Sequence, residues 1–347
     1  MRICDIHPSE DGRWDECLQA LRAATMFHTA SWLKVIHNTY GWDSRVLAIV
    51  DDNGVVTGGV PYFAINSAIA GRRIVSVPFS DYCHPLCENN DELTSVLRAL
   101  RQIAYQGRVD AVQMRGIASD EVATQEGWVP GARFVSHKVW LTDGIEATEQ
   151  RYHKDCVQRK IRKAVREGVQ IERGNRSEMV DQFYALLVRT RRRHGYPPPP
   201  KRWLINVAEC VPGADYLMCS YQGKPVAGVV TIRWKDTLYY KYGASDERFH
   251  HLGAMPLVYR EMIRRAAEEG VQNVDLGRTE LSNRGLAEFK ERFGAVPTMV
   301  QYWECGAVRR REGRLSGAVW NLGRAAISRL PLFVLPSIGN AVYPHIA

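Results

Sequence analysis

One stretch near the C-terminal end of the chain holds residues whose types and spacing could do chemistry. Asp275-Leu276-Gly277-Arg278 ends a strand-like segment, and a helix-like segment with Phe289 and Lys290 follows it. A strand that ends in Asp-x-Gly-Arg places a carboxylate, bare backbone and a guanidinium at a sheet edge, where the ligands of such sheets usually bind. The alternative is structural: Asp275 caps the turn, Arg278 pairs with it and Phe289 packs in the core. Spacing alone favours the structural alternative.

Several other reaction classes lack their motifs in this sequence. There is no Walker phosphate loop, no Rossmann Gly-rich turn after a strand, no Gly-x-Ser-x-Gly nucleophile elbow and no His-Glu-x-x-His. The eight cysteines lack the spacing of a disulfide scaffold or a zinc ribbon, so we expect reduced thiols. The close pair Cys83 and Cys87, with His84 between them, supplies too few ligands for a tetrahedral site. We therefore expect neither a metal nor a resident cofactor.

The elements that must position these residues belong to a soluble globular chain. Its 347 residues predict about two domains, and a composition of 45% hydrophobic and 24% charged residues disfavours disorder and coiled coil. No apolar run approaches the roughly 18 residues that a membrane helix needs, and the N-terminal segment lacks the apolar core of a signal peptide. These features predict a cytoplasmic location.

The order of the elements in the first half recurs in the second half. Strands alternating in hydrophobicity flank a turn over residues 47–60, and a similar strand, turn and strand lie at one constant offset over 217–230. An aromatic strand over 237–243, a helix and a strand over 273–277 then follow. We predict an α/β (mixed α+β) fold with two tandem domains, each a mixed sheet flanked by helices.

A basic block separates the two halves. Residues 1–150 carry 13 Lys and Arg against 19 Asp and Glu, whereas residues 151–202 carry 15 against 5. The block is predicted to contain a helix over 149–168, a second helix over 179–194 and a stiff elbow at the four prolines 197–200. It could neutralise the phosphates of a nucleic acid, a nucleotide or a lipid, or it could be a solvated helix face.

The predicted boundaries follow from this order. The N-terminal domain covers residues 1–148, the basic helical segment and proline elbow cover 149–202 as part of the second domain, the C-terminal domain covers 203–310, and a helical tail covers 311–347. The tail carries Arg324 and Arg329 among apolar residues, so it could lie on an anionic membrane surface. Packing against the core is the alternative.

Four short segments carry a family resemblance. They are Phe27-His28-Thr29-Ala30-Ser31-Trp32, residues 75–82, Arg159-Lys160-Ile161-Arg162-Lys163-Ala164 with Gly168-Val169, and the stretch from Asp275 to Gly294. In this order they resemble the FemAB-like branch of the GNAT (acyl-CoA N-acyltransferase fold) superfamily. The resemblance implies two tandem GNAT-like domains and transfer of an acyl or aminoacyl group to an amine, without a metal or redox cofactor. The acyl donor, aminoacyl-tRNA or acyl-CoA, would be a co-substrate.

The resemblance also implies roles in the C-terminal domain. Lys290 matches a family lysine that stabilises charge in the transition state, on the oxyanion or on the donor's phosphate or ribose. Arg278 would anchor an anionic part of a substrate, and Asp275 would orient Arg278 or accept a proton. On the aromatic strand, Tyr242 as a catalytic group and Tyr240 as a binding group could contact the reacting atoms, or both could simply pack. Phe289 is a further substrate-binding candidate in this stretch.

The resemblance places acceptor binding in the first half. Asp81 and Tyr82 match the family stretch that lines the acceptor cleft, and Trp32 and Lys34 resemble a Trp-and-basic segment that meets a nucleotide-linked acceptor. In the basic helix the implied role is contact with phosphate, and the candidates are Arg159 and Arg162.

The donor and acceptor stay open at this level. The segment over residues 248–254 has only Gly253-Ala254 of the Gly-rich loop that holds the CoA pyrophosphate, which favours aminoacyl-tRNA. The acceptor would be a small-molecule, nucleotide-linked or lipid-linked amine of peptidoglycan or exopolysaccharide chemistry, reached from the cytoplasm or the periphery of the inner membrane, and no DNA partner is expected. The alternatives are an acyl-CoA-dependent N-acyltransferase and a non-catalytic binding module.

Overall fold

The computed structural model describes residues 1–306 and 317–346 and divides into two compact units. The first unit contains Met1–Arg133 together with residues 300–306 and 342–346, and the second contains Phe134–Met299 together with residues 317–341.

Each unit contains both strands and helices, with runs of consecutive strands. Those of the first unit are β1 (Arg2–Ile6), α1 (Arg13–Ala20), α2 (Ala30–Tyr40), β2 (Ser44–Val50), β3 (Val56–Ser67), β4 (Gly71–Val75), α3 (Asn90–Gln106), β5 (Ala111–Met114) and α4 (Asp120–Gln125). The chain continues through β6 (Val129–Trp140), α5 (Gly144–Gln150), α6 (Arg159–Arg166), β7 (Gln170–Gly174), α7 (Ser177–His194), α8 (Lys201–Cys210), β8 (Ala214–Tyr221), β9 (Lys224–Trp234), β10 (Thr237–Ser245), α9 (Ala254–Glu268), β11 (Asn273–Glu280), α10 (Arg284–Glu291), β12 (Val296–Cys305), α11 (Gly317–Arg329) and α12 (Leu335–Val342).

The sheet of the first unit is a meander that ends in a parallel pair. Strands β1 to β4 pair antiparallel in sequence order, β4 pairs parallel with β5, and β5 pairs antiparallel with residues 303–305 of β12. Helix α3 begins where the Asn89 side chain accepts the backbone N–H groups of Asp91 and Glu92. Its apolar residues, spaced three and four apart, then cover one face of this sheet.

The second unit repeats this plan with helices on both faces of its sheet. Strands β7 to β10 pair antiparallel in sequence order, β10 pairs parallel with β11, and β11 pairs antiparallel with the second-unit part of β6. Helix α9 packs against the face that carries Leu217 and Val229. Helix α7 covers the opposite face, where Phe183 meets Tyr216 and lies beside Gly228.

The predicted fold class is confirmed, and the two hairpins differ by one step of register. Leu47 pairs with Val60 in the first hairpin, whereas Leu217 pairs with Val229 in the second. The first hairpin turns through residues 51–55, and the second turns through Gln222 and Gly223 alone, both with positive φ. The shorter turn moves the pairing partner by one residue.

Two unit boundaries and one helix differ from those predicted. The first-unit core ends at Arg133 rather than residue 148, because Phe134 onwards pairs with β11. Residues 300–306 and 342–346 return to the first unit, where residues 303–305 pair with β5. The single helix predicted over 149–168 is interrupted after α5 and resumes as a π-helical turn, Lys154–Gln158, before α6.

The predicted tail is only partly covered by the structure. Residues 307–316 lie outside the described residues, and so do the side chains of 317–322. Further along, the Arg324 guanidinium donates to the carbonyl oxygen of His194 and lies over the Tyr196 ring, so this arginine holds α11 against the end of α7. In the described parts of the chain no helix has the length and apolarity to cross a membrane.

Candidate functional site

A gap opens in the sheet of the second unit between β10 and β11. The two strands run parallel as neighbours only where Thr237 to Tyr239 lie beside Asn273 to Asp275. Beyond that point β10 stays with β9 as far as Ser245, and β11 stays with β6 as far as Glu280. Each strand therefore turns one edge of peptide groups towards this opening, the second-unit gap.

The β10 side of the second-unit gap contains a β-bulge. The register with β9 shifts between Tyr240 and Tyr242, so Lys241 is an extra residue on this strand. A bulge takes a residue out of the regular ladder and turns its peptide groups away from the neighbouring strand. At the far end of β10, the Thr190 hydroxyl accepts the Ser245 N–H (2.9 Å) and donates to the Ser245 carbonyl (3.0 Å), so α7 fixes the strand end.

The β11 side is shaped by two buried charges that bind the same glycine. The register with β6 shifts between Asp275 and Arg278, and Gly277 has a φ of 70°. Asp275 accepts the Gly277 N–H at 2.8 Å, while Lys290 donates to the Gly277 carbonyl at 2.8 Å and to the Thr279 hydroxyl at 2.8 Å. A carboxylate and an ammonium thus hold the bulge of β11 in place.

This geometry corrects the expectation that Lys290 and Asp275 reach into an open crevice. The two side chains are 2% and 1% exposed. In this arrangement the ammonium donates to main-chain and hydroxyl oxygens of the interior. Asp275 and Lys290 both bind Gly277 and so support the edge of β11, and their catalytic roles stay predictions.

Arg278 and Lys138 carry the more accessible charges of this region. The Arg278 guanidinium lies 4.2 Å from the centre of the Phe134 ring and is half-buried. The Lys138 ammonium lies 3.9 Å from the Asp275 carboxylate, with 32% of its side chain exposed. Sequence reasoning missed Lys138, because its place opposite Asp275 depends on pairing between β6 and β11.

An aromatic cluster lies under the second-unit gap. The Tyr240 hydroxyl is hydrogen-bonded to Tyr259, and burial raises the pKa of both phenols, so both are protonated at neutral pH. A Cβ atom on Gly243 would lie 2.1 Å from the Tyr240 hydroxyl oxygen, so this position requires glycine. Phe289 packs on Tyr259 at a ring distance of 5.0 Å, and the half-buried Tyr242 follows the bulge.

Sequence reasoning also missed two buried polar side chains on β6. His137 has no exposed surface, and its Nε2 lies 3.4 Å from the Glu291 carboxylate. Burial, and next the nearby charge of Lys290, lower the pKa of His137, so the ring is neutral. Its Nδ1 and the Ser136 hydroxyl are buried without a hydrogen-bond partner among the described residues. No spacing in the sequence marks either residue.

The first-unit candidates divide into one core residue and three accessible ones. Trp32 is fully buried and its indole donates to the Ser80 hydroxyl at 3.0 Å, and its contact with an acceptor stays a prediction. Asp81 and Tyr82 are half-buried in the loop that Ser80 begins, and Lys34 is exposed on α2. The indole supports the loop that carries Asp81 and Tyr82.

The basic helix α6 differs from α9 in how its charges are used. Four cations of α6 form no ion pair with any residue in the described part of the chain: Arg159, Lys160, Arg162 and Lys163. Three arginines of α9 all pair with glutamates: Arg260, Arg264 and Arg265. Arg159 and Arg162 are both exposed. Unpaired guanidinium groups on one exposed helix remain open to an anionic ligand.

Part of the second unit matches a known protein family. Residues 152–291, which include β10, β11 and the whole second-unit gap, match the family model of the acetyltransferase (GNAT) domain. This match confirms the resemblance to the GNAT superfamily. None of the curated proteins compared has significant sequence similarity to the chain.

Solved structures share the fold over most of the chain. FemX is 14% identical with a TM-score of 0.67, covering 87% of this chain and 97% of that one. The C-terminal domain of a protein described as a lysylphosphatidylglycerol synthetase from Agrobacterium fabrum is 12% identical with a TM-score of 0.57, covering 92% and 96%. A tandem GNAT protein from the clavulanic acid biosynthesis pathway is 11% identical with a TM-score of 0.54, covering 88% and 98%. The chain has the tandem GNAT fold.

Proposed function

We propose that this GNAT-type acyltransferase forms an amide by transferring an aminoacyl group from aminoacyl-tRNA to the amine of a cell-envelope or small-molecule acceptor. One neighbour is described as a lysylphosphatidylglycerol synthetase, a name that denotes aminoacyl transfer, which supports an aminoacyl donor. The observation that carries the proposal is the second-unit gap, two diverging strand edges with a bulge, inside the segment that matches the GNAT domain.

The gap has the parts that attack of an amine on an ester requires. The amine nitrogen forms a bond to the ester carbonyl carbon, the oxygen of the carbonyl becomes negative, and the bond to the ribose oxygen then breaks. Peptide N–H groups on the bulged edge of β10 would stabilise the oxyanion, because they are fixed in place before the reaction. The bulge of β11, fixed by Asp275 and Lys290, keeps the opposite edge at its distance.

A protonated phenol can assist the leaving group. Burial keeps Tyr240 protonated, and with Tyr259 as the donor in their hydrogen bond, the Tyr240 proton is available to a group in the gap. Tyr240 would donate this proton to the departing ribose oxygen, and the proton lost by the amine would pass to solvent. Arg278 and Lys138 would bind anionic parts of the substrates, with Tyr242 and Phe289 as further contacts.

The loop before α9 supports a tRNA-borne donor over CoA. Gly253 has a positive φ, and a Cβ atom there would lie 2.5 Å from the Lys160 carbonyl oxygen, so close packing against α6 accounts for this glycine. The preceding residues Glu247–Leu252 form a 3-10 turn in which the Arg248 side chain binds Asp246. This segment therefore does not form a Gly-rich backbone loop of the kind that binds a pyrophosphate. We place acceptor recognition at Asp81 and Tyr82, with Lys34, Arg159 and Arg162 as contacts for phosphate.

The test is transfer from two donor classes to a panel of amines. Purified protein is incubated with mixed aminoacyl-tRNA or with a set of acyl-CoA thioesters, and amide products are detected by mass spectrometry. We expect product from aminoacyl-tRNA and a rate lower by about 100-fold for Tyr240→Phe, the lower end of the range for loss of an acid catalyst. Tyr105→Phe is the matched control, because Tyr105 is 88% exposed in the first unit.

Each other outcome selects another function. Product from acyl-CoA alone would identify an acyl-CoA-dependent N-acyltransferase, the class suggested by the tandem GNAT protein of the clavulanic acid pathway, whose structure is described as being without acetyl-CoA. Absence of an amide product from either donor, together with unchanged binding of these donors by Tyr240→Phe, would indicate a binding module that retains the GNAT fold.

A further inference from the structure

We propose that a groove between α5, α6 and α9 is a second ligand site, which binds an organic anion with an apolar body. The groove has a volume of about 640 Å³ and lies wholly in the second unit. The lining residues that form its apolar surface and its cationic wall are Tyr152, Ile161, Val165, Arg162 and Arg166. None of them lies on β10 or β11, and only Arg162 is shared with the proposed function, where it is a contact for phosphate.

The groove has an apolar surface that the protein itself leaves uncovered. Tyr152 and Ile161 are buried, and Val165 beside them is 58% exposed. An exposed valine next to buried apolar residues leaves a hydrophobic surface in contact with water, and an apolar ligand would remove that contact. A ligand of pure inorganic phosphate would leave this surface wet.

A buried hydroxyl in the groove has no partner. Tyr152 is 3% exposed, and its hydroxyl makes no hydrogen bond within the described residues. Burial raises its pKa, with a smaller contribution from Glu149, so the hydroxyl is protonated and can donate. A buried hydroxyl without a partner is costly, and natural structures satisfy such groups with water or ligand. A polar atom of the bound molecule would satisfy this one.

One wall of the groove carries available positive charge. Arg162 forms no ion pair with a described residue, and Arg166, one turn further along α6, has only a 3.7 Å contact with Glu167. On the other side Glu149 is already neutralised by Arg260 at 2.6 Å. Two guanidinium groups on the same side of a helix suit a carboxylate, sulfonate or phosphate group. The apolar surface and these arginines together define an amphiphilic anion.

The experiment titrates the full-length protein with anilinonaphthalene sulfonate, which has an aromatic body and one anionic group. We expect saturable binding of one molecule per chain. Arg162→Gln with Arg166→Gln should weaken binding by about 10-fold or more, and Tyr152→Phe by about 3- to 10-fold, the effect of one lost hydrogen bond. The matched control is Lys154→Gln with Lys224→Gln, which removes two exposed charges from the same unit outside the groove.

Three results would overturn the proposal. The first is unchanged affinity of the double arginine variant, with near-UV circular dichroism confirming that all variants are folded. The second is equal affinity for uncharged phenylnaphthylamine, since the anion would then have no role. The third is competition by inorganic phosphate at the concentration that competes for an ordinary phosphate site, since the apolar body would then be irrelevant.

Discussion

Each unit contains one pair of parallel strands, and the two pairs differ in whether the residues that follow them close the space between the strands. In the first unit β4 and β5 run parallel as β10 and β11 do in the second. There the next residues close the space: Ser76 N–H donates to the Gln113 carbonyl, Arg115 N–H to the Ser76 hydroxyl, and Cys83 N–H to the Arg115 carbonyl. The space in the first unit that corresponds to the second-unit gap, the first-unit gap, is therefore filled by the backbone of the residues that follow β4 and β5.

A buried cation and a glycine maintain this closure. The Arg115 guanidinium donates to the Ser80 carbonyl at 2.8 Å and lies over the Tyr302 ring. A Cβ atom on Gly58 would lie 2.2 Å from the Leu86 carbonyl oxygen, so the closing loop needs glycine beneath it. In the second unit Lys290 is buried too, but it binds the bulge of β11 and leaves the gap beside it. The duplication repeats the scaffold, while local contacts decide which gap can hold a substrate.

The largest expected effect comes from removing either buried cation. Lys290→Met should lower the free energy of unfolding of the second unit by about 3 to 5 kcal/mol, because it leaves the Gly277 carbonyl and the Thr279 hydroxyl without this donor and removes the charge that balances Asp275. Arg115→Met is the matched change in the first-unit gap. Urea denaturation followed by hydrogen exchange of each unit measures both.

This prediction separates support from direct catalysis. A Lys290→Met protein with an unfolding midpoint close to that of the wild type, yet without transfer activity, would contradict the supporting role of Lys290. It would mean that the ammonium acts on the substrate.

The stability of the first unit should also depend on pH through His28. Burial lowers the pKa of His28 from 6.5 to about 3, and its Nε2–H donates to the His84 carbonyl while its Nδ1 accepts from Thr25. The unfolded chain therefore takes up a proton below pH 6.5 that the folded chain does not. Stability from this group is complete above pH 6.5 and decreases as the pH falls towards 3, by about 3 kcal/mol between pH 7 and pH 4.

The measurement is first-unit stability against pH, with His28→Gln as the comparison. Glutamine does not titrate, so the difference in unfolding free energy between the two proteins should shrink as the pH falls. Parallel pH profiles of the two proteins would show that His28 is not the titrating group.

A smaller effect is expected in the open gap, on rate rather than on folding. Gly243→Ala should lower the transfer rate by about 10- to 100-fold, because the new Cβ displaces the Tyr240 hydroxyl. Gly285→Ala in α10 is the control, since a Cβ atom there meets nothing within 4 Å. The double variant Gly243→Ala with Tyr240→Phe should be no slower than Tyr240→Phe alone. A further loss in the double variant would mean that the alanine acts on something other than this hydroxyl.

The fold followed from the sequence more completely than the site did. Alternating hydrophobicity and turn residues are local signals, so the two hairpins and the repeated order of elements were predictable. The surroundings of His137 and Lys138 depend instead on which strands pair across more than a hundred residues of chain. The contacts of Lys290 depend on how α10 packs on β11. A lysine next to Phe289 reads the same in sequence whether it faces a substrate or a glycine carbonyl.

Trp32 shows the same limit in the first unit. Its position in the chain suggested a ligand contact, whereas its burial depends on Ser80, 48 residues away. The interruption before α6 was also not predictable, because the basic residues around it favour a continuous helix. Local pattern predicts elements, and tertiary contact decides which polar side chains are left for a ligand.

The smallest expected effects concern the hydroxyl that fixes a strand end in each gap. Thr190→Val keeps the shape of the side chain and removes two hydrogen bonds to Ser245, while Ser76→Ala removes the acceptor of the Arg115 N–H. Thr190 is half-buried, so water can replace it, and we expect a loss of about 1 kcal/mol for Thr190→Val. Ser76 is fully buried, so its loss should be about 1 to 3 kcal/mol. Urea midpoints measure both, and faster hydrogen exchange of the Ser245 amide should accompany Thr190→Val. A larger loss of stability for Thr190→Val than for Ser76→Ala would contradict this prediction. The end of β10 would then depend on its hydroxyl more than the closing loop of the first unit does.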